Sequence, residues 1–144
     1  MKWLLDTCVI SELVSKQPYK AVIDWIDSIE AENLYLSVIT IGEIAKGIEK
    51  LPQSKRKREL HRWLTEDLLL RFDGRILLLD VDVLLVWGQL TGRLEGKGKK
   101  MSAIDSLVAA IALHWNLTIV TRNVSDYSHS GIPIFNPWGT ETQS

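Results

Sequence analysis

Apolar positions in this chain fall into two alternating patterns: short continuous runs, and stripes at helical spacing. The run at 2–5, Lys2-Trp3-Leu4-Leu5, reads as a short buried strand. A helix is predicted from about Thr7 to Val14, and Pro18 opens a second containing Val22, Ile23, Trp25, Ile26 and Ile29. Residues 34–38 read as a second strand, followed by a helix that starts at Thr40 and stops before Pro52. The polar stretch 53–58 leads into a helix striped by Leu60, Trp63, Leu64 and Leu68, which Gly74 closes. Residues 76–79 form a third short strand, and Asp82 caps a helix running to about Leu94. The loop Gly96-Lys97-Gly98-Lys99-Lys100 is the clearest flexible segment. Beyond it, residues 103–115 read as a strongly apolar helix, 117–121 as a fourth strand and 132–135 as a fifth.

Strands that alternate with helices predict an α/β fold in three layers. Its centre is a mainly parallel sheet of four to five strands, flanked by helices on both faces. At 144 residues the chain fits one domain, expected over 1–138, with a polar tail at 139–144. Composition narrows this only slightly. At 46% hydrophobic and 24% charged, the chain is ordinary for a globular protein, and disorder is excluded. A net charge of −1 gives no bulk attraction to a polyanion, so any nucleic-acid contact must come from local basic patches or a bound metal. One cysteine, Cys8, rules out an internal disulfide and a cysteine zinc cluster. Asp6 interrupts the first apolar run, which argues against a signal peptide, and no uncharged run approaches the ~20 residues a bilayer span requires. The cytoplasm is the expected location, with no membrane partner.

Four acids at element boundaries carry the chemistry. Asp6 follows the first strand, where it fits a helix N-cap as well as a ligand. In Thr40-Ile41-Gly42-Glu43, the acid fits the third position of a capping box. It also lies about 120° from the centre of a stripe made by Ile41, Ile44, Ile48 and Leu51. Asp105 occupies the same box position after Ser102. It is, however, the sole acid of a helix whose stripe (Ile104, Leu107, Val108, Ile111, Trp115) is backed by alanines. A buried carboxylate is costly unless paired or metal-bound, which favours function for Asp105. After the fourth strand, Asn123 and Asp126 can each offer an oxygen, or simply begin a helical turn. Oxygen donors of this kind suit Mg²⁺ or Mn²⁺, and His61, His114 and His129 are too scattered to suggest zinc.

The segment Leu4-Leu5-Asp6-Thr7-Cys8-Val9-Ile10-Ser11-Glu12-Leu13 resembles the opening motif of PIN-domain ribonucleases. Ser37-Val38-Ile39-Thr40-Ile41-Gly42-Glu43-Ile44 resembles their second motif, Asp105-Ser106-Leu107-Val108-Ala109-Ala110 the third and Thr121-Arg122-Asn123 the fourth. Ile134-Phe135-Asn136-Pro137-Trp138 is similar to the end of the VapC and FitB toxin branch. The resemblance implies a PIN-like fold and a Mg²⁺- or Mn²⁺-dependent endoribonuclease, the toxin of a type II toxin–antitoxin pair. It implies a homodimer held by a VapB-type antitoxin, with DNA reached only through that antitoxin. Carried across by motif, Asp6, Glu43 and Asp105 are the core carboxylates, Asp126 or Asn123 completes the metal set, and Thr7 and Thr121 are supporting hydroxyls. Two departures stand out: Cys8 replaces a frequent Asn, and Asn123 replaces an Asp found in some relatives. Two rival readings follow, a PIN-domain RNA-processing nuclease without antitoxin and a catalytically silent PIN-like binding domain.

Other signals weigh less. Lys55-Arg56-Lys57-Arg58, with Arg62, fits a solvated helix face more readily than an RNA or antitoxin contact. Lys97, Lys99 and Lys100 precede the helix bearing Asp105 and are the better RNA contacts, although their glycines do not form a P-loop. Asp80 and Asp82 suit turn and cap chemistry, Cys8 a small buried residue, and Trp138 packing.

Overall fold

The computed structural model describes residues 1–139; the rest of the expected polar tail, 140–144, lies outside the described residues. Five strands form one fully parallel sheet: β1 (Trp3–Leu5), β2 (Leu34–Ser37), β3 (Ile76–Leu77), β4 (Thr118–Val120) and β5 (Ile134–Phe135), in the order β3-β2-β1-β4-β5. Leu4 of the central strand lies opposite Tyr35 on one side and Ile119 on the other. Because neighbouring side chains point to opposite faces, the two halves of each strand pair feed separate cores. Leu5, Leu36 and Val120 pack into one cluster, and Leu4 and Ile119 into the other.

The first cluster is covered by α1 (Thr7–Glu12), α2 (Lys20–Ser28), α3 (Val38–Glu49), α4 (Lys55–Arg62) and α5 (Leu69–Arg71). Between α4 and α5 the helix widens to π geometry over Trp63–Leu68, burying Leu64 and Leu68. On the opposite face lie α6 (Val81–Gly96) and α7 (Ala103–Trp115), which contribute Val83, Leu90, Leu94 and the run Val108–Ala112. Trp3, Trp25 and Phe135 pack with ring centroids 5.1–5.6 Å apart, Trp3 edge-on to Trp25 and both tilted against Phe135, and Trp138 is buried against the first cluster. The packing role expected for Trp138 is what the structure shows.

Several boundaries differ from expectation. The helix after β2 starts at Val38 rather than Thr40, because Ser37 is the cap: its Oγ accepts from the Thr40 N–H at 3.2 Å. Likewise Asp80, not Asp82, caps α6, accepting from the Val83 N–H at 3.0 Å, while Asp82 falls in the first turn. The basic run expected as a polar lead-in is the first turn of α4, capped by Ser54. In α7 the predicted boundaries hold, yet Ile104 and Trp115 at the ends of the expected stripe are exposed. The small alanines let that helix press its 108–112 face against the sheet, which leaves the stripe's ends outside. Leu51 is likewise at the surface, past the end of α3.

Candidate active site

In a parallel sheet, side chains that follow the carboxyl ends of the strands converge at one edge, where ligands bind. Asp6 immediately follows β1, and its N–H continues the ladder by donating to Val120 O at 3.0 Å. It does cap α1, since its Oδ1 accepts from the Thr7 N–H at 3.0 Å. The cap employs one oxygen. The other, Oδ2, accepts from the Thr121 hydroxyl at 2.8 Å, and Thr121 follows β4 next to it in the sheet. Thr121 is fully buried and is itself fixed by the Asn123 N–H, which donates to its Oγ1 at 3.0 Å. Cys8 Sγ lies 3.6 Å from the same hydroxyl and accepts from the Arg122 N–H. Cys8 is thus half-buried packing beside the site, and its burial pushes the thiol pKa up.

Glu43 reaches the same edge from the second turn of α3. With Ser37 as the cap, Glu43 is six residues on, too far to serve the capping box expected for it. Its Oε1 instead accepts from the Thr7 hydroxyl, which lies 3.2 Å from Thr40 Oγ1. Asp105 stands third in α7 and its N–H is capped by Ser102 Oγ at 3.2 Å. Its side chain does not complete a capping box; Oδ1 accepts from the phenol of Tyr127 at 3.3 Å. Tyr127 was not singled out in the sequence. It ends the 3-10 turn Val124–Tyr127, its ring is buried in the second core, and only the tertiary fold brings it to Asp105.

The electrostatics tie these acids together. Burial raises the Asp6 carboxyl pKa above its ordinary value, the Thr121 hydroxyl and Thr7 N–H pull it back, and the charges of Glu43 and Asp105 raise it further. The same two effects push the Tyr127 phenol up: burial first, then the charges of Asp6 and Asp105 and the hydrogen bond to Asp105. Ion pairs among the described residues, Lys20–Asp24, Lys55–Glu59 and Arg62–Glu66, are all on exposed helix faces, and none serves these acids. Asp6 thus has two like-charged neighbours, Glu43 and Asp105, and no ion pair to offset them among the described residues; carboxylate oxygens are the donor type that a hard divalent cation takes. Among the described residues no three of Asp, Glu, His or Cys converge tightly enough to enclose a metal ion alone. That is compatible with Mg²⁺, which keeps several waters and uses few carboxylates.

The remaining expected site residues lie outside this network. Asp126 is exposed on the 3-10 turn, and its side chain makes no hydrogen bond or ion pair among the described residues. Asn123 contributes its backbone N–H to Thr121 while its side chain faces outward. Lys97, Lys99 and Lys100 are exposed after α6. In the basic run of α4, Arg56 donates to Val14 O, and Lys57 donates to Glu49 O and Leu51 O at 3.0 and 3.1 Å. Those two cations satisfy carbonyls left open at the ends of neighbouring helices.

The fold is a parallel αβα sandwich that sets Asp6 and Thr121 past the carboxyl ends of its central strands. The chain belongs to the PIN domain family, which it matches over residues 3–125. It is 38% identical over 135 residues to Toxin FitB of Neisseria gonorrhoeae, covering 94% of this chain and 97% of that protein. To VapC ribonuclease Y4jK of Sinorhizobium fredii it is 36% identical over 135 residues, covering 94% and 96%. It superposes on the crystal structure of FitAcB from Neisseria gonorrhoeae with a TM-score of 0.91 at 38% identity, over 96% of this chain and 99% of that one.

Proposed function

We propose that this chain is an endoribonuclease and the toxin of a type II toxin–antitoxin pair, acting in the cytoplasm. The ribonuclease chemistry is supported by similarity to a VapC ribonuclease over nearly the full length of both chains, and the pairing by the similarity to the FitAcB structure. The observation that carries the mechanism is the shared field of Asp6, Glu43 and Asp105, in which each acid raises the cost of ionising Asp6. Asp6, Glu43 and Asp105 would hold Mg²⁺ or Mn²⁺, with Asp126 or Asn123 as a further oxygen donor. The ion would supply a Lewis acid against the phosphate charge and lower the pKa of water.

The chain's own groups have separate tasks in this reading. Thr121 keeps Asp6 Oδ2 oriented and its charge stabilised. Thr7, on α1, holds Glu43 toward the same edge, and Tyr127 fixes Asp105. Since no histidine bonds to these acids among the described residues, a general base would have to be a carboxylate or a water they orient. The partners are an RNA strand, a VapB-type antitoxin, a second copy of the chain, and DNA only through the antitoxin. Among the described residues no helix is long and apolar enough to cross a membrane.

The test is cleavage of total RNA by the purified protein with EDTA, and after adding back Mg²⁺ or Mn²⁺. The reading expects no cleavage in chelator and recovery with either ion. Equal cleavage with and without chelator would overturn it. Absence of cleavage with either ion, together with absence of Mg²⁺ or Mn²⁺ binding by calorimetry, would return the chain to the silent-domain reading.

A further inference from the structure

Arg93 and Lys97 at the end of α6, Lys99 in the following loop, and His129 beyond the 3-10 turn together line a cavity of about 250 Å³. None of the four side chains makes a hydrogen bond or ion pair among the described residues. This contrasts with Arg56, Lys57 and Arg75, whose charged groups are spent on backbone carbonyls. Lysines at a helix C-terminus ordinarily complement its open carbonyls. Here two of those carbonyls are already filled from the backbone: Leu94 O accepts from the Lys97 and Lys99 N–H groups at 3.0 and 2.8 Å, and Glu95 O from Gly98 N–H at 3.0 Å. Helix capping therefore leaves the side chains free, and it does not account for His129, which arrives from a different segment.

The cavity is linked to the acidic centre through the segment that carries Tyr127 and Ser130. Its wall includes Ser130, buried, whose hydroxyl donates to Tyr127 O at 2.6 Å and accepts from the Ile132 N–H. Ser130 is three positions beyond Tyr127, whose phenol bonds Asp105, and their backbones lie at most about 10 Å apart. A volume of 250 Å³ equals roughly eight waters at ~30 Å³ each, room for a phosphate with its ribose. We propose that this cavity is a backbone subsite of the RNA strand, in which Arg93, Lys97, Lys99 and His129 grip a phosphate neighbouring the one to be cut. The proposal rests on the ribonuclease reading above. It adds Arg93 and His129 to the RNA contacts and leaves Lys100 out, since Lys100 does not line the cavity.

The experiment measures binding of a short fluorescent single-stranded RNA to the full chain in EDTA, by anisotropy across a salt series. Arg93→Gln with Lys97→Gln, and separately Lys99→Gln with His129→Gln, should each weaken binding about tenfold. Each pair should also flatten the dependence of log K on log salt by about 0.7, the loss of one single-strand phosphate contact. All replaced groups are at the surface, and an unchanged melting temperature verifies folding. Lys20→Gln with Lys55→Gln removes two charges from exposed ion pairs and should change binding less than twofold. Wild-type affinity and slope in both cavity variants, or equal weakening in the control, would overturn the subsite. So would absence of RNA binding by the wild type. Wild-type RNA cleavage is scored separately: if it persists while the cavity variants bind normally, the subsite falls and the ribonuclease reading stands.

Discussion

Asp6 performs two jobs with two oxygens, and substitutions separate them. Asp6→Asn keeps an acceptor for the Thr7 N–H while removing a charge that burial and two like-charged neighbours disfavour. Cleavage should fall at least a thousandfold, as expected when a metal carboxylate is lost. In chelator at neutral pH the variant should melt higher than wild type, by about 3 °C per kcal/mol in a domain of this size. The sign follows from the raised pKa. The folded state favours the protonated acid, so wild-type stability is fully present below the unfolded value of 3.8 and declines as pH rises through the higher folded value. The melting difference should therefore vanish in acid, and a variant that melts lower than wild type at neutral pH would contradict it. Thr121→Val tests the opposing influence. Its hydroxyl lowers the Asp6 pKa, so removing it should move the acidic limb of the rate profile to higher pH; an unmoved limb would show that Asp6 ionisation does not govern the rate.

Helix starts aim the site, and they differ in what they aim. Ser102 caps the turn that carries Asp105, whereas Ser54 caps α4, none of whose side chains hydrogen-bonds the site's acids among the described residues. Either serine to alanine should cost about 1 kcal/mol of stability. Only Ser102→Ala should also lower kcat, and equal kcat loss from Ser54→Ala would mean that stability alone governs activity. The start and end of α7 were legible because a single cap-competent residue precedes a dense apolar run. The start of α3 was not, because Ser37 and Thr40 are both competent caps and only burial of Thr40 against Thr7 decides between them. That shift relieved Glu43 of its structural explanation. The π stretch at Trp63–Leu68 left no periodic trace distinct from α-helix, and Tyr127 could not be read at all: 22 positions and a helix separate it from Asp105. The placement of Asp6, Glu43 and Asp105 at element starts was legible, but their burial was not: Asp6 is buried, Asp105 half-buried and Glu43 exposed.

At the scale of the molecule, both sheet faces are covered, yet one flank remains apolar. Leu78, Val81, Leu84 and Leu85 around the start of α6 are exposed, as is Ile104 on α7. A monomer rarely presents so many large apolar side chains together. If a second copy covers them, Leu85→Glu should convert a dimer to monomers by sedimentation without lowering the melting temperature measured at low concentration. An unchanged sedimentation profile would place the dimer contact elsewhere.

The central position of β1 has a consequence in time. Asp6 emerges early in synthesis, while Thr121, the hydroxyl that orients it, follows 115 positions later. At ~5–20 residues per second that interval is roughly 6–23 s. Throughout it, β1 lacks its β4 neighbour and the acids lack the turn bearing Tyr127. The hydrogen-bond network around Asp6 and Asp105 therefore cannot be completed until Tyr127 has left the ribosome. A cell making such a nuclease gains that delay from strand order alone, time in which a neutralising partner can already be waiting.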